Sequence, residues 1–262
     1  MKHILGISAL YHDSAAVLLK EGDIVAAAQE ERFTRQKNDH RFPEQAIDFC
    51  LKQAGITPSD LGAIAFYEKP ITKFSRMLET YLAIAPRGWR TFPRVMSSWL
   101  SEKIQIKQTL GEIFSDPGTN CPIFFAQHHE SHAASAFYPS PFEEAAILTI
   151  DGVGEWATTT LASGKGKHVE ILKEIRFPHS LGLLYSTITA FCGFRVNSGE
   201  YKLMGLAPYG KAVYADILRE DVIQIHEDGS FHLNLDYFGF LSSDQMDHPR
   251  LHALLGGPPR QP

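Results

Sequence analysis

Residues 3–29 read HILGISALYHDSAAVLLKEGDIVAAAQ. Three short runs in this stretch, residues 4–8, 15–20 and 24–29, are rich in apolar and β-branched side chains and predict β-strands. The second and third runs are joined by Glu21-Gly22-Asp23, a composition typical of a tight turn. The chain is therefore predicted to begin with a three-stranded meander.

The next two elements complete a recognisable order. Residues 44–54 carry apolar side chains at helical spacing and are followed by Gly55, a common helix terminator. Residues 63–67 form an apolar run typical of a buried strand. The order β-β-β-α-β predicts an α/β fold whose first lobe is actin-like, that is, of the ribonuclease-H-like (ASKHA) type.

The rest of the chain predicts a helical insertion and a second lobe. Residues 72–114 are mostly helical in pattern, with breaks at Pro86, Gly88 and Pro93. Strand patterns at residues 158–162 and 169–177, around a turn at residues 164–166, precede a helical pattern at residues 181–194. We therefore predict a first lobe at residues 1–155, with an insertion at about 72–115, and the start of a second, related lobe at residues 156–262.

Composition excludes several classes of protein. The net charge of −5 comes from 25 basic and 30 acidic residues without a long run of either sign, so neither nucleic acid nor an anionic membrane is an expected partner. The apolar runs at the start are too short for a signal peptide or a membrane span. The three cysteines have no CxxC spacing, which argues against a disulfide framework or a thiolate zinc site and favours a cytoplasmic protein.

Residues 127–136, QHHESHAASA, contain the strongest candidate for a metal site. On a helix, His128 and His132 lie one turn apart on the same face, and Asp151 follows an apolar strand pattern and could add a carboxylate. Two histidines and a carboxylate suit non-haem iron, with zinc and manganese as alternatives. The plainer interpretation is a cluster of histidines at a partly exposed helix start, and this is the interpretation expected for His129.

Glycines mark two candidate phosphate-binding segments. Gly152 and Gly154 follow the strand pattern of residues 145–150, where backbone amides can approach phosphate oxygens, although a tight hairpin explains both glycines equally well. Residues 197–210 are predicted to form a glycine-punctuated loop in which Lys202 could hold a phosphate, or could simply be solvated.

The connection between the first two predicted strands contains Tyr11-His12-Asp13-Ser14. Polar side chains in such a connection can face a cleft. Asp13 and Ser14 are also common turn residues, and this structural role is the simpler interpretation of the segment by itself.

Six segments together closely resemble the NodU-type carbamoyltransferases. They occur in one order over most of the chain: YHDSAA at 11–16, AAAQEERFTRQKND at 26–39, RFPEQAIDFCL at 41–51, QHHESHAASAF at 127–137, TIDGVGEW at 149–156 and SGEYKLMGLAPYG at 198–210.

This resemblance implies an actin-like domain in which Fe(II) and a nucleotide position a carbamoyl-adenylate, made from carbamoyl phosphate and ATP, for attack by a hydroxyl of a small-molecule acceptor. It implies that His128, His132 and Asp151 are three metal ligands, and that a fourth, an aspartate, lies beyond Pro262. It also implies a C-terminal YrdC-like domain, for which these residues leave no room. The chain is therefore expected to be the N-terminal part of such an enzyme, with its own activity in doubt and a homodimer left open.

The nucleotide would be held by Gly152, Gly154, Ser198, Glu200, Lys202 and Gly205. His12 is the expected group nearest the acceptor hydroxyl, as base or hydrogen-bond partner, with Asp13 orienting it or the nucleotide. Two alternatives stay open: an actin-like kinase of a sugar or acid, which leaves the histidines unexplained, and a truncated, non-catalytic remnant that binds metal or nucleotide. Loop sequences do not identify the acceptor.

Overall fold

The computed structural model of the protein describes residues 3–99, 105–114 and 121–261. Its strands are β1 (His3–Ser8), β2 (Ala15–Lys20), β3 (Asp23–Gln29), β4 (Leu61–Phe66), β5 (Ile123–Phe125), β6 (Glu144–Ile150), β7 (Ala157–Lys165), β8 (His168–Arg176), β9 (Ile223–Ile225) and β10 (Phe231–Leu233). Its α-helices are α1 (Glu31–Thr34), α2 (Glu44–Ala54), α3 (Pro70–Ile84), α4 (Phe92–Ser98), α5 (Ile106–Phe114), α6 (His128–Phe137), α7 (Leu181–Phe191), α8 (Glu200–Leu206), α9 (Ala215–Ile217) and α10 (Pro249–Leu254).

The first five strands form one mixed sheet in the order β3-β2-β1-β4-β5. β1 pairs antiparallel with β2, and β2 with β3, whereas β4 pairs parallel with β1 and β5 pairs parallel with β4. The predicted meander, helix and strand are therefore confirmed. A meander continued by parallel strands is the arrangement expected for the predicted α/β, actin-like lobe.

Helix α2 forms because its apolar residues fall on one face. Ala46, Ile47, Cys50 and Leu51 are buried on that face. The helix ends at Gly55, whose φ of 66° is favourable for glycine and whose N–H bonds to carbonyls of the last turn. Helix α2 thereby covers the core of this sheet. The fully buried residues of that core are Leu5, Leu18, Ala46, Cys50, Ile64 and Leu110.

The remaining strands form two antiparallel sheets. One has the order β6-β7-β8, and the other pairs β9 with β10. Phe137 of α6 packs with Ile147 and Ala162 on the three-stranded β6-β7-β8 sheet. A separate hydrophobic core, which includes Val222, Phe231 and Leu251, packs around the β9-β10 sheet.

Contacts divide the described residues into two compact units. One contains residues up to 74 and residues 95–128, and the other contains residues 75–94 and the chain from 129 onward. The division therefore differs from the predicted boundary at residue 155. Strand β6 belongs to the second unit because it pairs with β7 along its whole length.

Several local predictions are corrected. Residues 200–206 are helix α8 rather than part of a loop, and a 3-10 turn at Ala207–Tyr209 follows. Pro93 does not break a helix, because it lies in the first turn of α4, where a missing N–H is tolerated. The turn predicted at residues 164–166 begins later, since β7 continues to Lys165. The helical pattern predicted across residues 100–104 lies outside the described residues.

No helix in the described part of the chain combines the length and the apolar character needed to cross a bilayer.

Candidate active site

Three loops of the first unit lie at the same edge of its sheet. Strands β1, β4 and β5 are parallel to one another, so the segments that follow their carboxyl ends meet at one edge. These segments carry His12 and Asp13 after β1, Tyr67 and Glu68 after β4, and His128 after β5. The edge that commonly binds ligands in α/β sheets therefore contains two of the predicted functional segments.

The loop after β1 is fixed by backbone hydrogen bonds to the segment that follows α1. The Leu10 N–H donates to the His40 carbonyl at 2.9 Å, and the Ser14 N–H donates to the Asp39 carbonyl at 2.8 Å. Between them, Asp13 adopts a left-handed backbone with φ 52°. A non-glycine residue in that region is strained, which is common at functional sites.

His12 and Asp13 form a contact that selects one imidazole nitrogen. His12 Nδ1 lies 2.8 Å from Asp13 Oδ2, and the two side chains are 41% and 33% exposed. An ionised carboxylate only accepts hydrogen bonds, so in a neutral imidazole the proton lies on Nδ1. Nε2 of His12 is then the nitrogen that can accept a proton from another molecule.

Next to this loop lies a buried ion pair that the sequence did not indicate. Lys73 Nζ is 2.6 Å from Glu68 Oε2, and the two side chains are 8% and 3% exposed. The same ammonium lies 5.1 Å from the centroid of the Tyr11 ring. Lys73 belongs to the predicted helical insertion, where a single lysine carries no motif, so only the structure reveals its position.

The predicted metal ligands converge. Each of His128, His132 and Asp151 offers one ligand atom, and these atoms lie within 4.8 Å of one another. His132 Nε2 is 3.8 Å from Asp151 Oδ2. The two histidines are one turn apart on the continuous helix α6, as the spacing predicts. Two imidazoles and one carboxylate at these separations fit a divalent transition metal with open coordination positions.

His129 is buried, which corrects its predicted place at a partly exposed helix start. It is 1% exposed, and its Nδ1 hydrogen-bonds to the Thr149 hydroxyl of β6 at 2.6 Å. Thr149 in turn shares a 2.6 Å hydrogen bond with the Thr160 hydroxyl of β7. The middle histidine therefore attaches α6 to the sheet, and the centroid of its ring lies 5.9 Å from that of His132.

The segment after β6 is a hairpin. The Asp151 N–H donates to the Thr158 carbonyl, and the Gly154 N–H donates to the Ala157 carbonyl, both at 2.9 Å. The Gly154 amide is therefore used inside the protein, which favours the hairpin explanation for that glycine. The Ser180 hydroxyl lies 3.0 Å from the Asp151 carbonyl and 2.7 Å from the Gly152 carbonyl, and fixes the hairpin to the start of α7.

The second candidate phosphate segment is helical and largely exposed. The Glu200 carboxylate accepts hydrogen bonds from the N–H groups of Asn197 and Gly199 and from the Ser186 hydroxyl, so it stabilises the start of α8. Lys202 and Gly205 are exposed on that helix, and Ser198 is half-buried just before it. A role for these residues in nucleotide binding stays a prediction.

A cleft of about 530 Å³ lies within the second unit. Its lining includes Trp156, Phe177 and Phe238 as well as the polar residues Glu79, Thr80, Arg87, Asp236 and Ser242. Because β6, β7 and β8 are antiparallel, Asp151 after β6, Trp156 before β7 and Phe177 after β8 lie at the same end of their sheet. The Phe177 N–H donates to the Trp156 carbonyl at 2.8 Å. This cleft is therefore a neighbour of the hairpin that carries Asp151.

Comparison with known proteins places these features in a family. The sequence model of the protein family described as carbamoyltransferase N-terminus matches residues 3–260 of this chain. The chain belongs to this family. An uncharacterized protein of Synechocystis, sll1178, is 54% identical over 268 aligned residues that cover 100% of this chain and 43% of the relative. The nodulation protein NolNO of Sinorhizobium fredii is 37% identical over 228 residues, which cover 87% of this chain and 32% of NolNO.

This member of the carbamoyltransferase N-terminal family thus spans less than half the length of those two relatives. Among solved structures, YeaZ from Pseudomonas aeruginosa is similar over 66% of this chain and 65% of its own, with a TM-score of 0.37 and 17% identity.

Proposed function

We propose that this chain is the carbamoyl-transfer part of an O-carbamoyltransferase that modifies a hydroxyl of a small-molecule acceptor. The observation that carries the proposal is the convergence of His128, His132 and Asp151 in a chain that matches the carbamoyltransferase N-terminus over residues 3–260. A sugar or acid kinase of related fold has no need for two imidazoles at this position.

In this proposal His128, His132 and Asp151 hold Fe(II), with zinc or manganese as alternatives. The bound metal would supply a Lewis acid and a template for an anionic donor. The chain's own contribution is to hold the ligands in place. His129 attaches α6 to β6, and Ser180 fixes the hairpin that carries Asp151.

The carbamoyl donor in this proposal is a carbamoyl-adenylate formed from carbamoyl phosphate and ATP. The Cβ side of Gly152 is open, since an added Cβ there would meet only Leu183, at 3.9 Å, and in this proposal the phosphate approaches from that side. Lys202 and Gly205 are exposed and accessible to a nucleotide, and Ser198 and Glu200 lie at the start of the same helix. Gly154 would act through backbone shape, because its amide is already bonded.

His12 is proposed as the base. The Asp13 carboxylate holds Nδ1 and leaves Nε2 as the acceptor for the hydroxyl proton of the substrate. As that proton moves to Nε2, the carboxylate stabilises the imidazolium that forms. The hydroxyl oxygen of the acceptor attacks the carbamoyl carbon of the adenylate. The bond between that carbon and the phosphate oxygen breaks, and AMP leaves.

The cleft beside Trp156 suits a hydroxylated ring compound as the acceptor. Its aromatic residues offer apolar faces, and its carboxylates, hydroxyls and guanidinium offer hydrogen bonds. Trp156→Ala should therefore raise the KM for the acceptor more than it lowers kcat, because Trp156 is a half-buried aromatic residue of the lining. An unchanged KM for every acceptor that is turned over would exclude this cleft.

The test incubates the complete natural protein with labelled carbamoyl phosphate, ATP and a panel of hydroxylated sugars, and measures label in the acceptor. We expect transfer with the wild type and a loss of about 10²- to 10⁴-fold in His12→Gln, the range typical for removal of a general base. A His168→Gln variant serves as a matched control, because His168 is exposed at the start of β8.

Transfer of phosphate from ATP to the acceptor, without carbamoyl transfer, would instead identify a kinase. No transfer of either group by the complete protein would favour a non-catalytic remnant.

A further inference from the structure

We propose that Asn38 is a positioning residue that holds the Asp13 carboxylate and thereby fixes which nitrogen of His12 accepts a proton. This inference rests on the proposed role of His12 in carbamoyl transfer. Its geometric basis is independent of that role, because every contact involved lies within the first unit.

The two oxygens of the Asp13 carboxylate have different partners. Oδ1 accepts a 3.0 Å hydrogen bond from Asn38 Nδ2, and Oδ2 lies 2.8 Å from His12 Nδ1. A rotation of the carboxylate out of this plane would break both contacts, so the Asn38 amide holds the plane in which the other oxygen faces the imidazole. Because the Asp13 side chain is about one third exposed, water would otherwise compete for it.

Asn38 can act as an anchor because its own backbone is held. It adopts a left-handed conformation with φ 58°, and its N–H donates to Glu31 Oε2 at 3.0 Å. Asp13 is also left-handed, so two residues in sparsely populated conformations are joined through their side chains. Asparagine and aspartate tolerate this region better than most other residues.

The residue after Asn38 makes the segment rigid. The Asp39 side chain is 1% exposed and receives hydrogen bonds from Arg41 Nη2 at 2.6 Å and from the Thr34 hydroxyl at 2.8 Å. The Arg41 guanidinium holds the pKa of the Asp39 carboxyl well below its usual range. The Asp39 carbonyl accepts from the Ser14 N–H, so the segment that carries Asn38 and the loop that carries Asp13 are fixed to each other.

The consequence is a defined tautomer. A neutral imidazole free in water exchanges its proton between the two nitrogens, whereas an imidazole facing an oriented carboxylate keeps the proton on the facing nitrogen. With Asp13 fixed, His12 carries the proton on Nδ1. A base that must accept at Nε2 needs this tautomer before the substrate binds.

Three variants separate the side chain from the backbone. Asn38→Gly keeps access to a positive φ and removes the amide, whereas Asn38→Asp keeps the shape but replaces the donor with an acceptor that repels Asp13. Asn197→Gly is the matched control, because Asn197 is an exposed asparagine with a similar φ of 64°.

The experiment records long-range ¹H–¹⁵N spectra of ¹⁵N-histidine-labelled protein at neutral to alkaline pH, with the His12 signals assigned by their loss in His12→Gln. We expect a protonated Nδ1 and an unprotonated Nε2 in the wild type and in Asn197→Gly. We expect Asn38→Gly and Asn38→Asp to lose this pattern and to show exchange between tautomers.

A wild-type His12 with its proton on Nε2 would overturn the inference by itself, whether or not the variants fold. An unchanged tautomer in either folded Asn38 variant would also overturn it. The position of the His12 proton is measured without carbamoyl transfer, so this test does not depend on the proposed function. If the Asn38 variants lose the Nδ1 tautomer but keep an undiminished kcat in the complete protein, His12 is not the base.

Discussion

At the scale of single residues, the hydroxyl of Thr149 stabilises the attachment of the helix that carries two candidate ligands. It links His129 to Thr160 through two buried 2.6 Å hydrogen bonds. Thr149→Val removes the central hydroxyl and leaves both buried partners short of a hydrogen bond. We expect the free energy of unfolding to fall by about 1–3 kcal/mol, measured by urea denaturation.

Thr159→Val is the control for this substitution. Thr159 is in the same sheet and is 8% exposed, and among the described residues its hydroxyl has no hydrogen-bond partner. The isosteric change there should be neutral or slightly stabilising, because it replaces an unsatisfied buried hydroxyl with a methyl group. Equal losses in the two variants would show that the hydrogen bonds of Thr149 contribute nothing specific.

The histidine cluster shows what spacing can and cannot predict. The separation of His128 and His132 gives their common face directly, because helical geometry relates residues four apart. Spacing gives the wrong exposure for His129, because the residue that covers it, Thr149, lies on a strand 20 positions away. A histidine that lies between the two candidate ligands is recognised as structural only when its tertiary partner is known.

At the scale of elements, the start of α7 packs against the hairpin that carries Asp151. A Cβ added at Gly182 would lie 2.5 Å from the Asp151 carbonyl group and from the Gly152 nitrogen. Gly182→Ala should therefore displace the hairpin, lower the free energy of unfolding by about 1–3 kcal/mol and weaken metal binding without removing a ligand. Denaturation and metal titration measure the two effects.

Gly111→Ala provides the contrast for Gly182→Ala. Gly111 lies inside α5, and an added Cβ there meets nothing within 4 Å. Alanine should stabilise this helix by about 0.5–1 kcal/mol and leave metal affinity unchanged. If Gly182→Ala also leaves the metal affinity unchanged, the hairpin does not control the position of Asp151, and this prediction is wrong.

The β9–β10 hairpin depends on a neutral histidine. His179 Nδ1 accepts a 3.1 Å hydrogen bond from the Leu233 N–H of β10. Burial, and then the neighbouring His232, lower the pKa of His179. A histidine with a lowered folded-state pKa contributes stability above its unfolded pKa of about 6.5, and that stability is lost as the pH falls below this value.

We therefore expect the wild type to lose more free energy of unfolding between pH 7 and pH 5 than His179→Gln does. The protection factor of the Leu233 amide, which corrects for the pH dependence of intrinsic hydrogen exchange, should fall over the same interval in the wild type. His168→Gln, at an exposed position, should behave as the wild type. A pH dependence that His179→Gln leaves unchanged would assign the effect to other groups.

At the scale of the whole molecule, the order of elements was predictable from the sequence, but their grouping was not. The meander, α2 and β4 follow from local periodicity and turn residues, and the structure confirms them. The assignment of β6 to the second unit depends on its pairing with β7, and the helical state of residues 200–206 on neighbours such as Ser186. Local patterns contain no information about such partners.

The same distinction applies to the site. Motifs predicted His12, Asp13, His128, His132 and Asp151, and the structure brings the last three together. The groups that position them include Asn38, which lies inside the segment of residues 26–39 quoted for the resemblance, and Ser180, which lies in none of the quoted segments. A positioning role is not readable from either sequence context, because it is defined only by contacts. The Lys73–Glu68 ion pair is of the same kind.

A metal bound at the proposed site would also stabilise the molecule, since a ligand at 100 times its Kd raises the free energy of unfolding by about 2.7 kcal/mol. Elemental analysis of anaerobically purified protein, comparing the wild type with His128→Ala/His132→Ala and with His168→Ala, tests the central claim most directly. We predict stoichiometric iron in the wild type and in His168→Ala and its loss in the double variant. Absence of metal from all three proteins, or equal metal in all three, would contradict the assignment of His128, His132 and Asp151 as a metal centre.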